Sequence, residues 1–146
     1  MPELPEVERV RAGVANEATG KVITSITTSH PRATNARSLT ALSSLRSAVI
    51  HKVNRRGKFI FFELDRPEYL VAHLGMSGRF HFRSPTTPVE LHQRATLTLT
   101  GLAEQTQLRF IDPRTFGWLA VCLGTDGLPQ LLANVAKDPF DLSNVG

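Results

Sequence analysis

Cysteine is almost missing from this chain: Cys122 is the only one in 146 residues. One thiol excludes an internal disulfide and any cysteine-based zinc cage, and Cys122 itself reads as a buried structural thiol. No apolar run approaches the roughly 18 residues a membrane span needs, and there is no signal-peptide pattern. These absences suit a reducing cytoplasm and set a membrane partner aside. Internal repeats and low-complexity tracts are lacking too. With 41% hydrophobic and 21% charged residues the composition is that of an ordinary globular chain, long enough for a real core.

Acidic charge is in deficit. Seventeen Lys and Arg face thirteen Asp and Glu, giving a net charge of +4 and a pI near 9.8. Thirteen of the seventeen cations are Arg, the residue suited to phosphate forks and base stacking. The densest stretch is HKVNRRGKF, with Lys52, Arg55, Arg56 and Lys58. Such a run is also what an ordinary solvated face looks like, so charge alone leaves nucleic-acid binding as one of two readings.

Hydrophobic spacing predicts a mainly β (α+β) chain. Pro5 fits a first helical turn, with Glu6 and Glu8 near the positive end of the helix dipole. Val7, Val10 and Val14 follow at helical spacing and Gly20 is a natural stop. VITSITTSH predicts a short strand, followed by a loop from Pro31 to Arg37. SLTALSSLRSAV predicts a second helix, with Leu39, Leu42, Leu45 and Val49 on one face and Ser38 as its cap. KFIFFEL, YLVAHLGM, GRFHF, ATLTLTGL, QLRFID and FGWLAVCL then predict strands separated by Pro, Gly and polar turns. The expected architecture is an antiparallel β-sandwich or flattened barrel with two flanking α-helices over residues 1–133. Residues 134–146 lose periodicity and read as a linker or truncated end.

The opening MPELPEVERVR carries the sharpest chemistry. If Met1 is removed, Pro2 becomes a free secondary amine. An α-amino group has a pKa near 8, against about 10.4 for lysine, so far more of it is unprotonated at neutral pH. Proline is intrinsically more basic, which reduces that advantage without removing it. Its attack on a sugar or carbonyl carbon gives an iminium ion, cationic at any pH, which acidifies the adjacent C–H and favours elimination. Glu3 and Glu6 flank the amine and can handle its protons and those of a leaving group. The same residues also make a plain proline helix start with acids on the dipole.

Taken together and in order, MPELPEVE, RRGKF, HLGMSGRF and RFIDPRTFGW resemble the formamidopyrimidine-DNA glycosylase family of bacterial repair enzymes, which excise oxidised purines. The PELPEVE form resembles this branch more than the related endonuclease VIII branch. The resemblance spans essentially the whole chain and implies base excision repair with abasic-site lyase activity. It implies Pro2 as the nucleophile that attacks deoxyribose C1′ and forms the Schiff base, Glu3 as the catalytic acid and Glu6 as its neighbouring carboxylate. Lys58 matches the lysine of the elimination step, which also holds phosphate, and Arg56 in the same motif is expected on the DNA. Met76 matches an adaptable wedge that fills the space left by a flipped-out lesion. Arg109 and Phe110 are assigned as its partners, an arginine for the orphaned base and a phenyl ring beside it. His92 falls where the family places a DNA-contacting histidine; here the stretch reads LHQRATL, with Gln93 and Arg94 in place of the usual acid and second histidine. His73 is expected to support the LGM turn, and Arg114 to brace the loop behind Arg109.

The implied partner is double-stranded DNA containing an oxidised base or abasic site, bound by a monomer in the bacterial cytoplasm, associated with the nucleoid. No cofactor is expected in this chain. Family members continue into a helix–two-turn–helix region and a four-cysteine zinc finger, so one zinc is expected in that C-terminal region of a longer protein. The chain therefore reads as an N-terminal catalytic domain, with a non-catalytic DNA-binding or lesion-sensing fragment as the alternative. An amino-terminal-proline tautomerase fits less well, because such enzymes start a strand directly after the proline.

Overall fold

The computed structural model describes residues 4–30, 33–34, 38 and 40–123. Pro2 and Glu3, and the expected linker over 134–146, lie outside these described residues. Among the described residues one α-helix, α1 (Leu4–Ala18), precedes eight strands: β1 (Val22–Thr28), β2 (Ile50–Arg56), β3 (Phe59–Leu64), β4 (Glu68–His73), β5 (Arg79–Arg83), β6 (Gln93–Thr100), β7 (Gln105–Ile111) and β8 (Trp118–Leu123). They form two four-stranded antiparallel sheets, ordered β1-β6-β7-β5 and β2-β3-β4-β8. The sheets share one core. Ile23, Leu97, Leu99, Leu108 and Phe110 come from the first; Ile50, Ile60, Phe62, Leu70, Leu119 and Val121 come from the second. This is the expected antiparallel sandwich.

Helix α1 buries Val7, Val14 and Ala18 on one face and lies against β2 and β5, an edge strand of each sheet. It thereby closes one open seam of the sandwich. Gly20, at φ +87°, takes the left-handed turn that ends this segment and sends the chain into β1.

The second predicted helix does not form. Within the described part of SLTALSSLRSAV only Leu42–Leu45 is helical, as a single 3-10 turn. Its two buried leucines are spaced three apart, which suits a threefold turn as well as an α-helix. Ser47 then adopts φ +75°, and the backbone of Ser47, Ala48 and Ile50 is taken up by bonds to Ile23 and Lys21. Sheet pairing thus claims the backbone that a continuing helix needs. Ser38 caps nothing: its hydroxyl donates to Thr40 O at 2.8 Å and accepts the Val121 N–H at 2.8 Å. The 3-10 turn packs on β1 and β8, plugging the seam opposite α1.

Strand β2 was not among the predicted strands, because IHKVNRR does not alternate in polarity. Its inward residues are Ile50, Val53 and the buried Arg55, while Lys52, Asn54 and Arg56 sit on the other face. Arg55 is tolerated inside because Glu8 of α1 accepts its Nε at 3.0 Å and Gly57 O accepts Nη1 at 3.0 Å. Glu8 also chelates Arg11, whose Nη1 donates to Val53 O at 3.0 Å. The bonds from Arg11 come first in holding the Glu8 carboxyl below its usual range, with burial opposing and Arg55 assisting. A carboxylate with a depressed pKa stabilises the fold above its unfolded pKa and loses that contribution as pH falls through the folded value. Glu8→Gln is therefore expected to cost about 1–2 kcal/mol near neutral pH, the lower part of the buried-pair range because Glu8 is partly solvated. Urea denaturation at falling pH should show that gap closing below about pH 4; a gap constant with pH would rule the ion network out as its source.

Candidate functional site

Two loops meet at one end of the sandwich. The first, HLGMSG, joins β4 to β5; the second, DPRTFG, joins β7 to β8. Their backbones touch. A Cβ on Gly75, itself at φ +62°, would lie 2.6 Å from Gly117 N and Phe116 C, and one on Gly117 would lie 2.7 Å from His73 O. Only glycine fits at either position.

The fully buried carboxylate of Asp112 ties these loops together. Its Oδ1 accepts Ser77 Oγ at 2.8 Å and Arg114 N–H at 3.3 Å, and its Oδ2 accepts Gly117 N–H at 2.7 Å. Arg94 holds the second loop from the side, donating from Nε to Asp112 O at 2.8 Å. His92, at φ +63°, accepts Asp112 N–H on its carbonyl at 3.0 Å, while Arg94 Nη2 lies 3.4 Å from its Nδ1. Below the loops, the Phe110 ring fills the space that Cβ atoms on Gly78 or Gly117 would take. Two large apolar side chains project from this platform: Met76 is 47% exposed and Phe116 53%.

This geometry corrects two assignments. Arg109 is 1% exposed and Phe110 fully buried, so neither can enter DNA. Arg109 instead clamps the loop before β6, donating to Thr87 O at 2.6 Å, Pro88 O at 2.9 Å and Gln107 Oε1 at 2.9 Å, with Glu90 at 3.4 Å. Both neighbours on β7 are buried because β7 is an inner strand, with the core on one face and this loop over the other. Arg109, expected to meet the orphaned base, braces the loop before β6 instead, while Arg114, expected to brace, is exposed on the loop beside Phe116. Their motif, DPRTFG, contained the signal all along, since a Pro-Arg-Thr turn ending in glycine has no strand alternation to bury its side chains.

The remaining residues divide into two groups. Glu6 is exposed at the start of α1 and lines a cleft of about 270 Å³ with Val10, Leu74, Met76, Ser77 and Arg79. The structure thus joins the carboxylate near the chain terminus to the apolar wedge, and adds Arg79, the arginine of the GRF motif, which the sequence reading did not single out. Lys58 does not line this cleft. It sits in the β2–β3 turn near His73, which accepts the Gly75 N–H on Nδ1 at 3.0 Å and so supports the LGM turn as expected. Arg56 is half-buried on β2, paired with Phe59. Among the described residues no cluster of three His, Cys, Asp or Glu could hold a metal. The residues of this chain do not fit a four-cysteine zinc site, because the one thiol is buried and pushed up to about 11 by burial.

Residues 1–119 match the family described as Formamidopyrimidine-DNA glycosylase N-terminal domain. The chain is 41% identical over 145 residues to a formamidopyrimidine-DNA glycosylase of a Nocardioides species, covering 97% of this chain and 49% of that protein. It is 40% identical over 144 residues to the one of Salinispora tropica, covering 97% and 50%. Among solved structures it resembles the Lactococcus lactis Fpg in complex with DNA containing an abasic site, with TM-score 0.78, 32% identity, and 90% of this chain matched to 47% of that one. The chain spans about half the length of these relatives.

Substitutions should separate platform from wedge. Asp112→Asn is expected to cost about 2 kcal/mol or more, since an amide NH₂ must face a donor. Phe110→Ala is expected to cost about 3–5 kcal/mol, and Phe116→Ala less than about 1 kcal/mol. Urea denaturation of the three variants checks this ordering; a Phe116→Ala loss matching Phe110→Ala would mean the exposed ring belongs to the core.

Proposed function

The chain belongs to the formamidopyrimidine-DNA glycosylase family through that family's N-terminal domain, and from this we propose that it supplies the nucleophile and the void-filling wedge of a DNA glycosylase acting on oxidised purines in base excision repair. The observation that carries the reading is the exposed Met76–Phe116 pair on a platform fixed by Asp112, bordering a cleft that contains Glu6.

In this reading Met76 and Phe116 occupy the gap left when a damaged nucleotide leaves the stack, offsetting unstacking of a few kcal/mol per step. Arg114, beside Phe116, offers a guanidinium to the edge of the orphaned base. Attack by the Pro2 amine forms the N–C1′ bond while the C1′–base bond breaks, and the base departs with the bonding pair and a proton from Glu3. The Pro2 nitrogen then gives up its proton and its lone pair expels the ring oxygen O4′, which leaves with the C1′–O4′ bonding pair and takes up a proton. The resulting iminium acidifies the C2′ proton, whose loss expels the 3′ phosphate in the lyase step. Lys58 and Arg56 supply positive charge for phosphates, and Glu6 keeps a carboxylate within the cleft. The partner is duplex DNA with an oxidised base or abasic site, bound by a monomer; the Lactococcus lactis complexes with such DNA support this. This reading sets the protein in a bacterial cytoplasm, with bacterial relatives in support, and its zinc belongs to a C-terminal region of longer family members.

The alternative is a non-catalytic DNA-binding or lesion-sensing chain whose amine is silent. Borohydride trapping on an abasic-site duplex, at low and moderate salt, decides between them. A covalent adduct that disappears in Pro2→Gly is the expected result. No adduct, with loss of Met1 confirmed by intact mass, would leave the alternative. In equilibrium binding, Met76→Ala and Phe116→Ala should each lower preference for the abasic duplex over intact DNA by about tenfold, the scale of one stacking contact. Undiminished preference in both variants would remove the wedge assignment.

A further inference from the structure

The outer face of the second sheet carries an aromatic row that the wedge platform does not use directly. Strand register aligns Arg56, Phe59, His73 and Trp118 across β2, β3, β4 and β8. The His73 ring stacks on Trp118, with centroids 5.7 Å apart and planes 16° from parallel, and meets Phe59 at 4.9 Å. It ends β4, immediately before the LGM turn. Its Nδ1 accepts the Gly75 N–H at 3.0 Å, so the ring is neutral with its proton on Nε2.

This one bond bears on the wedge. Gly75 is the residue whose left-handed conformation brings the first loop against Gly117 and Phe116, and Met76 follows it directly. We propose that neutral His73 is a latch that positions the Met76 wedge, and that protonation of its ring opens the latch. Here His73 is a positioning residue, and the inference rests on the wedge reading above. On protonation Nδ1 becomes a donor, so two N–H groups oppose each other where one bond stood. The surroundings resist that state. Burial disfavours the imidazolium first, and the Lys58 cation disfavours it further, both lowering the His73 pKa from its ordinary value.

The charges around the ring are few. Lys58 faces it from the β2–β3 turn, and Arg56 stands at the far end of the row, beyond Phe59. The packed faces of β3 and β8 offer the neutral rings Phe59 and Trp118. The nearest carboxylate in the loops, Asp112, lies across Gly117 and is engaged by Ser77 and Gly117. With its pKa depressed, the ring stays neutral and latched at and above neutral pH. The latch opens only as pH falls below the ordinary histidine value toward the lowered one.

The test uses the whole chain as wild type, His73→Asn and His73→Leu. The Asn Oδ1 can accept the Gly75 N–H but does not titrate; Leu removes the acceptor. Three readouts are followed between about pH 7.5 and about pH 5, bracketing the ordinary histidine range. They are emission of Trp118, the single tryptophan, which an imidazolium stacked on it quenches; exchange of the Gly75 amide; and preference for a duplex with a tetrahydrofuran abasic analogue over intact duplex. Wild type should show quenching, faster Gly75 exchange and a loss of preference of about fivefold, all in step, the fold-change of one hydrogen bond. His73→Asn should hold all three flat, and His73→Leu should show fast exchange and reduced preference at every pH. Gly75 exchange that ignores Trp118 quenching, or a His73→Leu chain with wild-type exchange and preference, overturns the latch. Lack of abasic preference in every variant at neutral pH overturns the wedge reading instead, and Gly75 exchange still decides the latch.

Discussion

Asp112 is the fixed point of the functional end of this molecule. A fully buried carboxylate is costly to dehydrate, and the fold tolerates it only because Ser77, Gly117 and Arg114 bring donors to it. Those donors come from two loops far apart in sequence, so satisfying one charge fixes two segments relative to each other. The glycines at 75 and 117 let the backbones close to contact, which leaves Met76 and Phe116 no inward path. Their exposure is thus imposed from beneath. Large apolar side chains held in water on such a base are unfavourable for an isolated chain, and the wedge role proposed above is one that would compensate for it.

A second ionic anchor sets the other wall of the cleft. Glu8 grips Arg11 on its own helix and Arg55 on β2, and Arg11 reaches the Val53 carbonyl. Helix α1 cannot slide along the sheet edge without breaking these bonds. Glu6 is two residues from Glu8 and points away from the buried face of Val7 and Val14, so its place in the cleft follows from that grip. The two anchors are independent: one fixes the helix start, the other the wedge loops. The cleft is the space between them.

How much of this could be read in the sequence depended on whether local chemistry or distant packing decided each segment. Strands with inward leucines and valines, such as ATLTLTGL, were legible because period-two burial is encoded residue by residue. Strand β2 was hidden because its inward Arg55 depends on Glu8, 47 positions away. The supposed helix over 38–49 failed because sheet pairing by Ser47, Ala48 and Ile50 outweighed a weak, serine-rich helical pattern. Arg109 and Phe110 were misjudged on the same ground: arginine beside phenylalanine looks like one side chain out and one in, and only the loop over β7 makes both interior. Motif order pointed to the HLGMSG and DPRTFG loops, and side-chain burial shows that Arg114 and Phe116, not Arg109 and Phe110, are the exposed pair there.

The division of labour within the site has a physical consequence for binding. Among the described residues, the Met76 and Phe116 loops are fixed by bonds from Gly75 N–H to His73 Nδ1, from Gly117 N–H to Asp112 Oδ2 and from Arg94 Nε to Asp112 O. Preorganisation of this kind removes an ordering cost and favours distorted duplex over intact duplex. It does not set absolute affinity, which depends steeply on how many phosphates are neutralised. Of the cations here, Arg55 is taken up by Glu8 and Gly57 O, Arg109 by the loop before β6 and Arg94 by the DPRTFG loop, so these three are engaged within the fold. In the proposed reading, a surface of this kind discriminates better than it holds: binding would weaken with salt while the preference for a damaged site would persist.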